Sequence, residues 1–117
     1  MRRSLIEALE REPDLGVCGH ADNANEALSA ILSLQPDLVV TDIQLKSSSG
    51  LDLIRALRKH SLILPIIATT MFDGLRNERL SLAAGASAFV SKDDGPEKLI
   101  TTVHNVLWQS REAIERL

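Results

Sequence analysis

Residues 38–50 read LVVTDIQLKSSSG: an apolar run ends on a single carboxylate, Asp42, and breaks into a loop of serines and glycine. A continuous apolar run bounded by turn residues is the pattern of a strand buried on both faces, as in the parallel sheets of α/β proteins. Such sheets bind ligands at the carboxyl ends of their strands, which makes Asp42 the first candidate functional residue. A plainer role is open to a lone strand-end aspartate, which can simply cap the loop or the helix starting near Gly50. Residues elsewhere in the chain decide between the two.

Upstream of this strand the chain opens helical. Leu5, Ile6 and Leu9 form one apolar stripe among charged residues, and Pro13 stops it. Residues 15–21 read as a strand, with Cys18 as a small core residue in it. The pair Asn23 and Glu26 has the spacing of a capping box and starts a second helix, with Ala27, Leu28, Ile31 and Leu34 on one face. Gln35-Pro36 ends it. Downstream, Leu51, Ile54 and Leu57 mark a third helix, and residues 62–69 read as a strand with Pro65 near its start. A weakly amphipathic fourth helix over about 74–84, a short strand at 86–91 and a long last helix complete the chain. Asp94-Gly95-Pro96 opens that helix, whose buried face carries Leu99, Val103, Val106 and Leu107.

Composition narrows the function. A chain of 117 residues with 44% hydrophobic content has room for one core. Two Phe, one Trp and no Tyr give no surface for stacking bases, and a net charge of −3 gives no basic face, so direct nucleic-acid binding is not expected. Glutamates interrupt any apolar stretch after the N-terminal arginines, so no leader or membrane segment is expected and the protein is placed in the cytoplasm.

Alternating strands and helices with short connections predict a doubly wound parallel α/β sheet joined by right-handed crossovers. Asp42, Thr70 and Lys92 then stand at or just past three strand ends on one edge of it. Together they make chemical sense: a carboxylate can take a phosphoryl group, a hydroxyl can hydrogen-bond one of its oxygens, and an ammonium can neutralise another.

These residues lie in stretches that resemble the receiver domains of bacterial response regulators. PDLVVTDIQLKSSSGLDLIRALR (36–58) is similar to the segment around the phosphorylated aspartate, PIIATT (65–70) to the strand ending in the signalling hydroxyl, and AAGASAFVSKDDGPEKL (83–99) to the segment carrying the lysine. The resemblance implies a flavodoxin-like sheet of order 2-1-3-4-5. It makes Asp42 the phosphoacceptor, Thr70 the hydroxyl that follows the phosphoryl group, Lys92 its ion-pairing partner and Phe89 the switch residue. It also implies that the backbone carbonyl of Gln44 faces a metal, and that Gln44 and Phe72 flank the path of the hydrolysing water and tune dephosphorylation. Asp93 after the lysine points to the NarL-type subfamily, whose members usually carry a helix-turn-helix output domain. The implied partners are a histidine kinase and, on the face of the fourth helix, fifth strand and fifth helix, a second subunit or output domain, with Trp108 as a contact.

Three departures stand out against that pattern. Lys46 replaces a usual proline, Met71 a usual small residue, and no strand with an acidic pair precedes the first helix. Residues 1–117 therefore read as one receiver domain lacking its first strand, with Mg²⁺ bound weakly or not at all through Asp42 and Gln44. Such a domain is expected to rearrange, to swap elements with a second copy or to belong to a longer protein. The alternative function is a pseudo-receiver that binds partners without being phosphorylated. A hydrolase with Asp42 as nucleophile is the most distant, since Gln44 stands where the haloacid-dehalogenase type has a second aspartate.

Overall fold

The computed structural model describes residues 2–45, 48–70 and 75–115. Helix α1 (Arg2–Glu10) ends in a tight turn in which Glu12 N donates to Leu9 O, just before Pro13. Helix α2 (Ala24–Leu34) starts where the Asn23 side chain accepts from Glu26 N at 3.0 Å. Gln35 ends it in the left-handed region (φ 50°) before Pro36. Strand β1 (Val39–Asp42) leads into a two-stranded antiparallel ribbon, β2 (Gln44–Leu45) and β3 (Ser48–Ser49). Ser49 then caps α3 (Gly50–His60), accepting from Leu51 N. Strand β4 (Ile66–Thr70), α4 (Leu75–Ala84) and β5 (Ala88–Ser91) follow, and a 3₁₀ turn (Lys92–Asp94) leads into α5 (Pro96–Glu115).

The three longer strands form a parallel sheet of order β1-β4-β5, with Asp42 opposite Thr69 and Thr70 opposite Ser91. Every residue of β4 is buried, as a strand with neighbours on both edges and helices on both faces must be. Its side chains alternate between two cores. Ile66 and Ala68 join Val39, Ile54 and Leu57 beneath α2 and α3, while Ile67 joins Val90, Leu99 and Val103 beneath α5 and α1. Helices on both faces of a parallel sheet confirm the doubly wound, flavodoxin-like class.

A guanidinium ties the end of the first core together. Arg58 of α3 donates to the carbonyls of Gly85 and Leu64 at 2.7 Å and of Ser61 at 3.2 Å. Burial lowers its pKa, and these carbonyls offset the loss of water around it. Gly85 sits at φ 120°, and a Cβ there would stand 2.6 Å from the Arg58 stem, so the turn after α4 needs glycine on both counts.

Three sequence expectations are corrected. Residues 15–21 form no strand. Among the described residues, 16–21 make no backbone–backbone hydrogen bond, and no strand lies beside them to pair with. Apolar patterning alone cannot form a ladder. Cys18 in this segment is accordingly exposed rather than part of the core. The strand expected over 62–69 begins only at Ile66; Leu62 and Ile63 are exposed, because Ser61 Oγ accepts from the N–H groups of Ile63 and Leu64 and bends the chain there.

Helix α1 is tied to α5 at the amino edge of the sheet, where His104 Nε2 lies 3.2 Å from Asp14 and 3.9 Å from Glu12. The hydrogen bond from His104 holds the Asp14 carboxyl below its ordinary pKa. A depressed carboxylate contributes stability that is present above its unfolded pKa and is lost as pH falls through the folded one. In a ¹³C carboxyl NMR titration Asp14 should therefore titrate below the usual aspartate range, and His104→Ala should return it to that range.

Candidate functional site

The β1-β4 and β4-β5 registers set the strand ends in a row at the carboxyl edge. Asp42 closes β1, Thr70 closes β4, and Lys92 follows β5 directly. Lys92 Nζ reaches Asp42 Oδ2 at 2.5 Å across 50 positions of sequence. The other carboxylate oxygen, Oδ1, accepts from the backbone N–H of Gln44 at 3.1 Å. Both groups are partly shielded, with about a quarter of each side chain exposed. A contact between charges at this depth is less screened than a surface pair, yet stays open to a reactant. The helix-capping role falls to Ser49, not Asp42, while Asp42 both caps the following turn and holds Lys92.

The remaining predicted residues fall as follows. Thr70 is fully buried beside this pair. Gln44 lies in β2 with its side chain exposed and its backbone against Asp42. Phe89, opposite Ala68 in β5, is half-buried against the first core, and Trp108 is 64% exposed on α5. Phe72, Met71 and Lys46 lie outside the described residues.

Sequence reasoning missed three residues that build the site. Gly50, the first residue of α3, donates to Ile43 O at 3.0 Å, and a Cβ on it would fall 2.0 Å from the carbonyl oxygen of Asp42. Only glycine lets the helix start this close to the phosphoacceptor candidate. The signal was a glycine directly after a Ser-Ser cap. Ser91 accepts from Asp93 N at 3.3 Å and so shapes the turn that carries Lys92; its signal was a cap residue before two aspartates. Thr69, buried opposite Asp42, had no signal beyond its place in a strand.

The donors at this edge do not make a Mg²⁺ cage. Asp42 brings one carboxylate, already held by an ammonium, and Gln44 a carbonyl, where the ion takes carboxylates in near-octahedral geometry. Among the described residues, the one cluster of three metal-type ligands is Glu12, Asp14 and His104, at the opposite edge of the sheet.

The profile of the family described as Response regulator receiver domain matches residues 1–104, and the chain belongs to that family. Similar proteins include the nitrate/nitrite response regulator protein NarP of Escherichia coli (strain K12), 31% identical over 88% of this chain and 48% of that protein. Another is a protein-glutamate methylesterase/protein-glutamine glutaminase of Geobacillus kaustophilus (strain HTA426), 34% identical over 85% of this chain and 29% of that protein. The chain spans about half or less of the length of the curated relatives it matches. Among solved structures, it is similar to a CheY-like response regulator receiver domain protein from Methanospirillum hungatei JF-1, with TM-score 0.86, 28% identity and coverage of 96% of this chain and 88% of that one. A LuxR-family two-component response regulator from Aurantimonas sp. SI85-9A1 gives TM-score 0.88 at 29% identity, over 92% of this chain and 77% of that one. Receiver domains of this kind act in two-component signalling and generally bind Mg²⁺.

Gly50→Ala should force α3 away from β1, at a cost near the top of the about 1–3 kcal/mol seen for overpacked sites. Urea unfolding measures the loss. The Lys92 ammonium resonance should lose its dependence on Asp42 in the same variant.

Proposed function

We propose that Asp42 accepts a phosphoryl group from a phosphohistidine of a histidine kinase, and that the modified state is read on the face formed by α4, β5 and α5. The observation that carries this reading is the Lys92 ammonium on the Asp42 carboxylate, at the ends of strands brought together by β4. A carboxylate oxygen of Asp42 attacks phosphorus, the P–N bond of the phosphohistidine breaks, and the departing imidazole nitrogen keeps the electron pair and takes up a proton. The product carries about −1.5 to −2 charges where the carboxylate carried −1, so the ammonium gains in attraction as the reaction proceeds.

Readout follows from the same geometry. Thr70 and Phe89 are carried by adjacent strands, β4 and β5, so a hydroxyl drawn toward the phosphoryl group leaves space next to the half-buried ring. Inward movement of Phe89 would reshape the neighbouring face, where Leu75, Leu82 and Trp108 are exposed. Exposed apolar side chains of this kind suit a second subunit or an output domain. Relatives named as nitrate/nitrite response regulators support a role in transcription control in the cytoplasm, with DNA contacted by an output domain rather than by this acidic chain. None of the described helices is long and apolar enough to cross a membrane.

With radiolabelled phosphorylated kinase as donor, the parent should take up an acid-stable, base-labile label and Asp42→Asn none. Label retained in Asp42→Asn would exclude this assignment. Phe89→Ala should keep the label but lose the difference in dimerisation between modified and unmodified protein; an unchanged difference would remove Phe89 from the switch.

A further inference from the structure

Two carboxylates and an imidazole from distant parts of the chain converge at the amino edge of the sheet, away from Asp42. His104 Nε2 lies 3.2 Å from each carboxylate oxygen of Asp14 and 3.9 Å from Glu12 Oε1. One ligand atom from each of the three residues lies within 4.8 Å of the others. The ring favours neither oxygen of Asp14, and both separations exceed the about 2.7–2.9 Å of a charge-assisted hydrogen bond. They are closer to the edge of a tetrahedron around a zinc-sized ion. With bonds of about 2.0–2.2 Å to nitrogen and oxygen, that edge is about 3.3–3.6 Å.

The three side chains are held in place before any ion arrives. Glu12 and Asp14 stand on either side of Pro13 in a turn closed by hydrogen bonds from Glu12 N to Leu9 O at 3.1 Å and from Leu15 N to Glu12 O at 3.2 Å. The ring of Pro13 fixes φ between them. Leu9 and Leu15, at the two ends of that turn, pack on the same core as Val103 and Val106, the buried neighbours of His104 on α5. Turn and helix therefore share one apolar base. Glu12 and His104 are half-buried, and Asp14 is exposed. Two carboxylates within 4.8 Å repel one another. His104 offsets them only when protonated, whereas a divalent cation offsets both and takes the neutral ring as a ligand.

We propose that Glu12, Asp14 and His104 bind one divalent transition-metal ion, zinc in the first place, which staples the turn after α1 to α5. The donor set chooses the ion. A ring nitrogen with two carboxylates suits Zn²⁺, Co²⁺ or Ni²⁺, while Mg²⁺ and Ca²⁺ take oxygen ligands. Three protein donors leave a tetrahedral ion one position for water. The site shares no residue with the Asp42 edge. Trp108, one turn after His104 on α5 and the single tryptophan of the chain, reports binding. Co²⁺ added to the 117-residue chain should quench its fluorescence saturably at one ion per chain. Zn²⁺ should displace the Co²⁺ and reverse the quenching, and about a hundredfold excess of Mg²⁺ should not. Calorimetry with Zn²⁺ should show one site, and the melting temperature should rise with its concentration. Asp14→Asn, at an exposed position, and His104→Gln, which keeps a side chain of similar bulk, should each weaken binding by at least about tenfold. Cys18→Ser, His20→Asn and His60→Asn, which remove the other soft donors, should leave it unchanged. Binding that survives Asp14→Asn and His104→Gln would overturn the proposal. So would binding lost in one of the other three variants, equal competition by Mg²⁺, or no saturable binding.

Discussion

Strand β4 holds the molecule together because it is paired on both edges and buried on both faces. Its five residues fix the register of β1 on one side and β5 on the other, and its alternating side chains belong to two different cores. The Asp42–Lys92 contact follows from that arrangement. Asp42 and Lys92 are 50 positions apart and share no helix or turn; they meet because both flank a strand whose end is Thr70. An aspartate at the end of an unpaired strand would be an exposed carboxylate with no fixed ammonium beside it.

The convergence of the candidate site was legible in the sequence because doubly wound topology converts strand ends into neighbours. Asp42, Thr70 and Lys92 could be read from the ends of apolar runs alone. The helices were legible for a similarly local reason: Asn23 caps α2 and the Leu51, Ile54 and Leu57 stripe forms α3, since both depend on residues three or four apart. Features that depend on a distant partner were not legible. Residues 15–21 carry the composition of a strand, but a strand exists only through a neighbour. Cys18 lost its place in the core with the ladder that would have buried it. Leu62 and Ile63 look like the start of β4 by hydrophobicity, and the hydroxyl of Ser61 outcompetes that tendency. The close approach of Gly50 to Asp42 is a contact between two elements, and no single window of sequence contains it.

The electrostatics of the two sheet edges differ in kind. At the carboxyl edge, one carboxylate, one ammonium and one backbone N–H are held between strand ends that cannot move independently. At the amino edge, His104 of α5 and Asp14 of the turn after α1 meet in solvent, and no strand holds either of them. A pair of the first kind is suited to chemistry, since its geometry is set by the sheet. A pair of the second kind is screened and adjusts to pH and salt.

The absence of a side chain at Gly50 gives the domain a mechanical asymmetry. Helix α3 rests against the Asp42 carbonyl with no free space between them, and its far end is bolted by Arg58 to the segments that lead into β4 and β5. A body fixed at both ends does not act as a lever. If Asp42 is modified as proposed, α3 is then the fixed flank, and β4, β5 and α4 form the flank free to respond.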